Sequence, residues 1–357
     1  MRWLYIPNEN TEGDQVGPRM AFEKLYANGV LTAYKSYSYH VRAKVATCHN
    51  DALNELLETA LLFSPDVIFI QHTTNVYPMN RTFLEKLKNI PSKPKLVLYE
   101  EDVYGYLTKR MDATIRAVLS ESDICFMGGA GHIAAMALKA GAKKVRLALH
   151  SYDSRRFGTP WQPTLIRKYD AVMIGNLTCL KRIPWLHMPG GRKRKLTARA
   201  LYSHLGDRFG VYGAGQGWDG EPYCKGSVAF DKQGDVIRDS WMSVNWGIFD
   251  EIPMYSSDRL SISLACGVPH VANYQPGYEY VFDRIPGLFT VKSPKEALDV
   301  ALYILSLSVD RRNELGLQAA EYARKHLEAT VVYADIVTVV HESLFGLTET
   351  QSVDVVK

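Results

Sequence analysis

Short apolar runs alternate with amphipathic stretches along most of the chain. "RWLYIP" (2–7), "PDVIFIQ" (65–71), "KLVLYEED" (95–102) and "DICFMGG" (123–129) each read as a strand. Between them, "RMAFEKLYANG" (19–29), "NDALNELLETALLF" (50–63) and "GHIAAMALKAG" (131–141) carry helical spacing, and "KKVRLALHSYD" (143–153) closes the first series. The alternation restarts at "YDAVMIGN" (169–176). It continues through "RKLTARALYSHLG" (194–206), "RFGVYGAG" (208–215) and "WMSVNWGIF" (241–249), and ends in a long helical tail over 294–346. Strands alternating with helices predict parallel sheets covered on both faces, here twice. The polar stretch 151–168 marks the boundary. It separates a Rossmann-like domain over 1–160 from a second over 161–330, and a last helix near 331–346 is expected to pack back on the first.

The stretch "SSDRLSISLACGVPHV" (256–271) carries the clearest local signals. Ser256, Ser257 and Asp258 suit a helix start, Gly267 suits its end, and Pro269 cannot continue it. Arg259 then falls in the first turn, where backbone N–H groups point outward and favour an anion. The alternative is that Arg259 pairs with a surface carboxylate while the serines merely cap.

At 357 residues, with 46% apolar and 22% charged positions, the composition fits a soluble globular protein of two domains. No signal-peptide core and no uninterrupted apolar span of membrane length is apparent. Five scattered cysteines without a CxxC pair suggest reduced thiols, hence a cytoplasmic protein, and not a disulfide frame or zinc site. The net charge of +4 permits an acidic partner without demanding one.

Several segments, in order, resemble GT-B glycosyltransferases, and more narrowly the CgeB-like "glycosyl transferases group 1" relatives. They are "KKVRLALHSYDSRRFG", "AVMIGN", "GVYGAGQGW", "SWMSVNWGIF", "SSDRLSISLACGVPHVANYQPGYEYVF" and "SPKEALDVALYILSLSVDRRNELGLQAAEYARKHL", over roughly 143–327. The first 140 residues agree only in layout. The resemblance implies an α/β GT-B fold: two Rossmann-like parallel-sheet domains facing a central cleft, with a helical C-terminus. It implies an enzyme that moves a sugar from a nucleotide sugar, most readily a UDP-sugar, with no metal or other cofactor required.

The resemblance also supplies the anion, placing the donor diphosphate against Ser257 and Arg259. Many relatives carry a glutamate three residues after this arginine to hold the ribose. Here that position is Ile262, so Ser261, Ser263 or Glu279 must serve instead, or the pocket is altered. Further donor contacts are expected from Asn176 at a strand end, from Tyr212, Gly213, Gly215 and Trp218 in "YGAGQGW", and from Gly277 and Tyr278 in "PGYEY".

Transfer with inversion needs a base beside the acceptor hydroxyl. "YEEDVYG" offers Asp102 first and Glu101 second, with Asp14 in the first loop third, and His72 in "QHTTN" as a further base or sugar ligand. The alternative is that these acids cap a helix or pair with Lys109 and Arg110. Arg192, Lys193, Arg194 and Lys195 suit a polyanionic acceptor, because phosphate contacts need Lys and Arg. Since phage enzymes that glycosylate hydroxymethylpyrimidines in DNA share the GT-B layout, double-stranded DNA is the leading specific acceptor. A cell-envelope, spore-coat or exopolysaccharide acceptor competes with it. A nucleotide-sugar epimerase and a non-catalytic GT-B binding module also stay open.

Overall fold

The computed structural model describes residues 1–105, 109–159, 161–180 and 183–346. The chain forms two units, one of Met1–Leu149 with the chain from Ala329 onward, the other of His150–Glu328.

In the first unit, β1 (Arg2–Ile6), β2 (Ala33–Ser36), β3 (Val67–Gln71), β4 (Lys95–Glu100), β5 (Ile124–Met127) and β6 (Val145–Leu147) form one sheet in the order β2-β1-β3-β4-β5-β6. Every pairing is parallel. All five residues of β3 are buried, which explains its unbroken apolar run. One face packs on the helices Val16–Ala27 and Ala329–Phe345. Trp3 and Phe22 meet at 5.6 Å, and Phe22 meets Tyr333 edge-on at 5.3 Å. The apolar stripe Val332, Tyr333, Ile336, Val337 and Val340 therefore brings the last helix back to the first sheet.

The second unit contains β7 (Tyr169–Ile174), an antiparallel hairpin of β8 (Cys179–Leu180) and β9 (Ile183–His187), then β10 (Phe209–Tyr212), β11 (Ser240–Asn245), β12 (His270–Asn273) and β13 (Leu288–Val291). Its main sheet runs β10-β7-β11-β12-β13, all parallel. The helices Gly191–Leu205 and Pro294–Ser306 bury Ala198, Leu201, Ala297, Ala301 and Ile304 against it. Residues 150–159, read from the sequence as the end of the first domain, pack in this unit. Phe157 is fully buried there and meets Phe230 at 5.4 Å, so the stretch is more than a linker. No helix among the described residues is long and apolar enough to cross a membrane.

The helix Asp258–Ala265 starts and stops where its sequence signals place it. Gly267 follows with φ +67°, and a Cβ there would sit 1.9 Å from Trp161 Cδ1. Gly267→Ala should therefore lower stability by at least ~1–3 kcal/mol, from left-handed strain and overpacking together. Urea unfolding checks this, and an unchanged midpoint would contradict the packing described.

Candidate functional site

In an open parallel sheet, ligands bind outside the carboxyl ends of the strands, where the strand order reverses. In the second unit that point lies between β7 and β11. Arg194, on the helix Gly191–Leu205, fills it with only 3% of its surface exposed. Its Nε donates to the Trp246 carbonyl at 2.6 Å, and its Nη1 donates to the Asn176 carbonyl. Those carbonyls follow β11 and β7, so one side chain ties both strand ends. Gly175 permits the approach, since a Cβ there would lie 3.3 Å from Nη1. No carboxylate among the described residues pairs with Arg194. Burial and the nearby charge of Arg259 push its pKa down to about 9, which still leaves it charged at neutral pH.

Arg259 begins the neighbouring helix with 27% of its side chain exposed. Its Nη1 lies 3.4 Å from Asp258 Oδ1, while its buried Nε has no partner among the described residues. The Ser257 hydroxyl accepts from Asn245 Nδ2 at 3.1 Å and makes no capping bond. Two guanidiniums, one buried without a counter-ion, thus lie close to a helix N-terminus at the switch point. An unpaired buried cation is costly, and an incoming anion relieves that cost. A cavity of about 450 Å³ opens beside the ends of β11, β12 and β13, lined in part by Lys193, Trp246, Asn273, Tyr274 and Lys292.

Several expected donor residues are placed otherwise. Trp218 is 2% exposed and donates to the Gly175 carbonyl at 2.9 Å, so it belongs to the core and offers no face to a nucleobase. Gly213 and Gly215 face backbone, not ligand: a Cβ would meet Gly175 O at 2.1 Å or Leu177 O at 2.5 Å. Tyr212 is hydrogen-bonded to Tyr169 at 2.9 Å, and Asn176 Oδ1 accepts from Ala214 N at 2.8 Å. Ser261 and Ser263 are buried, in a helix that is buried all round from Leu260 to Ala265. Tyr278 is buried and donates to the Tyr255 carbonyl, and Gly277, with φ +82°, precedes its short helix. Glu279 is exposed and accepts from the Tyr274 hydroxyl at 2.9 Å.

The basic run is likewise no free polycation. Arg194 is buried, Lys193 pairs with Asp250 at 2.6 Å, and Lys195 pairs with Glu221 at 2.9 Å, leaving Arg192 exposed.

The first unit presents its own strand ends. The β3–β4 register sets Gln71 beside Tyr99, so His72 and Glu100 follow side by side. His72 Nδ1 lies 2.8 Å from Oε1 of Glu100, a carboxylate with no exposed surface. Burial alone would lower the His72 pKa, but the Glu100 carboxylate overrides it and holds the imidazole up at about 9. Burial pushes the Glu100 carboxyl up, while the His72 imidazole beside it pulls it back down. The backbone of His72 is left-handed, with φ +50°, a strained conformation of the kind that clusters at functional sites.

The three acids favoured by the sequence are engaged elsewhere. Asp102 pairs with Lys109 at 2.9 Å, Glu101 accepts from Gln71 Nε2 at 2.9 Å, and Asp14 accepts from the Asn10 and Thr11 amides at 3.0 and 3.2 Å. One ligand atom each of His72, Glu100 and Asp102 lies within 4.8 Å of the others, a spacing that could hold a cation. That set is already charge-matched by the His72 proton and Lys109, which a metal would have to displace.

Residues 192–339, less than half of the chain, match the family model described as glycosyl transferase-like. No curated protein matches. Among solved structures, the chain is similar to Anabaena Alr3699/HepE in complex with UDP and glucose, at 13% identity and TM-score 0.60, covering 97% of this chain and 100% of that one. Sucrose-phosphate synthase from Thermosynechococcus elongatus matches at 10% identity and TM-score 0.59, over 98% and 100%. A putative UDP-N-acetylglucosamine 2-epimerase from Listeria monocytogenes matches at 10% identity and TM-score 0.53, over 99% of each. These likenesses establish the fold: the chain has the GT-B architecture.

The His72–Glu100 pair makes a prediction of its own. Because the folded-state pKa of about 9 exceeds the ordinary value, His72 stabilises the fold fully below about pH 6.5. That contribution is lost as pH rises through about 9. NMR titration of the imidazole should show the raised midpoint, and Glu100→Gln should lower it, because burial is then opposed only by the weaker pull of Asp102 and Glu101. A midpoint unmoved by Glu100→Gln would break the assignment.

Proposed function

We propose that this protein is a glycosyltransferase that moves a sugar from a UDP-sugar to an acceptor hydroxyl. The observation that carries this reading is the buried Arg194, unpaired with any carboxylate among the described residues, beside Arg259 at the switch point of a GT-B sheet. The glycosyl transferase-like match over this region and the UDP bound in Alr3699/HepE support a nucleoside diphosphate as the anion. Arg259 and the amides at the start of its helix then meet the charge that develops as UDP departs. Arg194 holds the two strand ends and adds positive potential.

On the acceptor side, His72 is the base. Glu100 holds its Nδ1, leaving Nε2 as the atom that takes the acceptor proton. The acceptor oxygen then bonds to the anomeric carbon as the carbon–phosphate oxygen bond breaks, and that electron pair leaves with UDP. This single displacement inverts the anomeric configuration. Because His72 must first lose its proton, the rate should rise with pH toward about 9.

The local pairing of Lys193 and Lys195 and the burial of Arg194 favour an uncharged saccharide hydroxyl over hydroxymethylated DNA.

The deciding assay follows UDP release from a UDP-sugar panel, with saccharides and with plain or hydroxymethylated duplex as acceptors. Acceptor-dependent UDP release with saccharides supports the reading. Sugar isomerisation without any acceptor would replace it with an epimerase, and salt-sensitive transfer to hydroxymethylated duplex would restore DNA as the acceptor. Arg259→Ala should weaken UDP binding about 10- to 150-fold, equivalent to about 1.5–3 kcal/mol for a hydrogen bond to a charged group, as read by calorimetry. His72→Ala should cut turnover at least ~100-fold while leaving UDP affinity unchanged. Near-normal turnover of that variant would remove His72 as the base.

A further inference from the structure

By the start of the helix Asp258–Ala265, the second unit holds a small, partly open pocket with about 10 Å³ of room for water, its polar lining supplied by Asn245, Ser257, His270, Asn273 and Gln275. That is about the room one water needs. Four buried atoms of its lining residues lack a hydrogen-bond partner among the described residues: Asn245 Oδ1, Asn273 Nδ2, and both ring nitrogens of His270. His270 has no exposed surface at all. Burial, with the nearby Arg259 charge adding to it, pushes its pKa down to about 3, so the ring is neutral at neutral pH. A neutral imidazole offers one acceptor nitrogen. A single water would donate to Asn245 Oδ1 and to the acceptor nitrogen of His270 and accept from Asn273 Nδ2, which pairs three of the four atoms and leaves the His270 N–H.

The far ends of both amides are already committed. Asn245 Nδ2 donates to the Ser257 hydroxyl at 3.1 Å, and Asn273 Oδ1 accepts from the Gly247 amide at 2.7 Å. A water in the pocket completes a chain from β12 through Asn245 to the residue that opens the Arg259 helix. We propose that one ordered water occupies this pocket and that His270 is a positioning residue for the donor site, fixing Ser257 and the turn that carries Arg259. The proposal rests on the reading of that helix start as the diphosphate site.

A plain structural role and a positioning role predict different behaviour. Replacing the buried imidazole by an apolar side chain removes its bond to the water but restores apolar burial, and the two effects oppose each other. His270→Leu should therefore shift the thermal midpoint little while weakening UDP binding about 10-fold. His270→Gln, which still offers a polar atom, should stay within about 3-fold of the unmodified protein. A high-resolution crystal structure should show one water within hydrogen-bonding distance of His270, Asn245 and Asn273. A dry pocket, or wild-type UDP affinity in His270→Leu, would overturn the proposal. If His270→Leu lowers the midpoint, the comparison with His270→Gln decides, and equal loss of affinity in both overturns it. Absence of UDP binding by the unmodified protein would instead refute the donor-site reading, while the crystallographic water would still test the pocket.

Discussion

A guanidinium buried between two strand ends sets the terms for the second unit. Arg194 bonds the two backbone carbonyls just past β7 and β11, and so fixes the spacing of the crevice at its reversal point. Its charge has no carboxylate beside it among the described residues. Buried cations of this kind persist where something else repays the desolvation, and the adjacent Arg259 makes the deficit larger. A Cβ at Gly175 would press on the Arg194 guanidinium at 3.3 Å, and Gly213 must be small for the next loop to lie against Gly175. The glycines of this region thus serve the clamp before they serve any ligand.

The first unit solves a different problem with the same architecture. Its parallel register places consecutive strand ends side by side, which lets a buried carboxylate and an imidazole meet at 2.8 Å without a dedicated loop. The pairing resolves a conflict, since burial disfavours the charged form of each group and the partner favours it. Glu100 fixes one ring nitrogen and leaves the other to act. Asp102, which has Lys109 at hand, and Glu101, which has Gln71, are held by neighbours that make them less available as bases.

Much of the fold was legible because buried parallel strands announce themselves as unbroken apolar runs, as in "VIFI" and "LVLY". The helix at 258 was equally clear, from Ser257 and Asp258 at one end and Gly267 at the other. The site was less so. Arg194 sits in "GRKRK" among three other cations, and nothing in that spacing tells which one turns inward. Trp218 looked available for stacking because a glycine-rich turn preceded it, yet those glycines bring backbone together and leave the indole in the core. The pairing of His72 with Glu100 depends on which strands are neighbours. "QHTTN" and "LYEED" carry that information only once the order β3-β4 is known. His270 gave no signal, since a histidine opening an apolar strand looks like an ordinary core residue.

The proposed donor site stands or falls on whether the strand-end crevice around Arg194 and Arg259 takes a diphosphate. A crystal structure of the protein soaked with UDP tests it directly. Diphosphate oxygens should lie within about 3 Å of the Arg259 guanidinium and of the backbone amides that open its helix, a normal hydrogen-bonding distance. UDP bound with its phosphates away from this edge of the second sheet would contradict it.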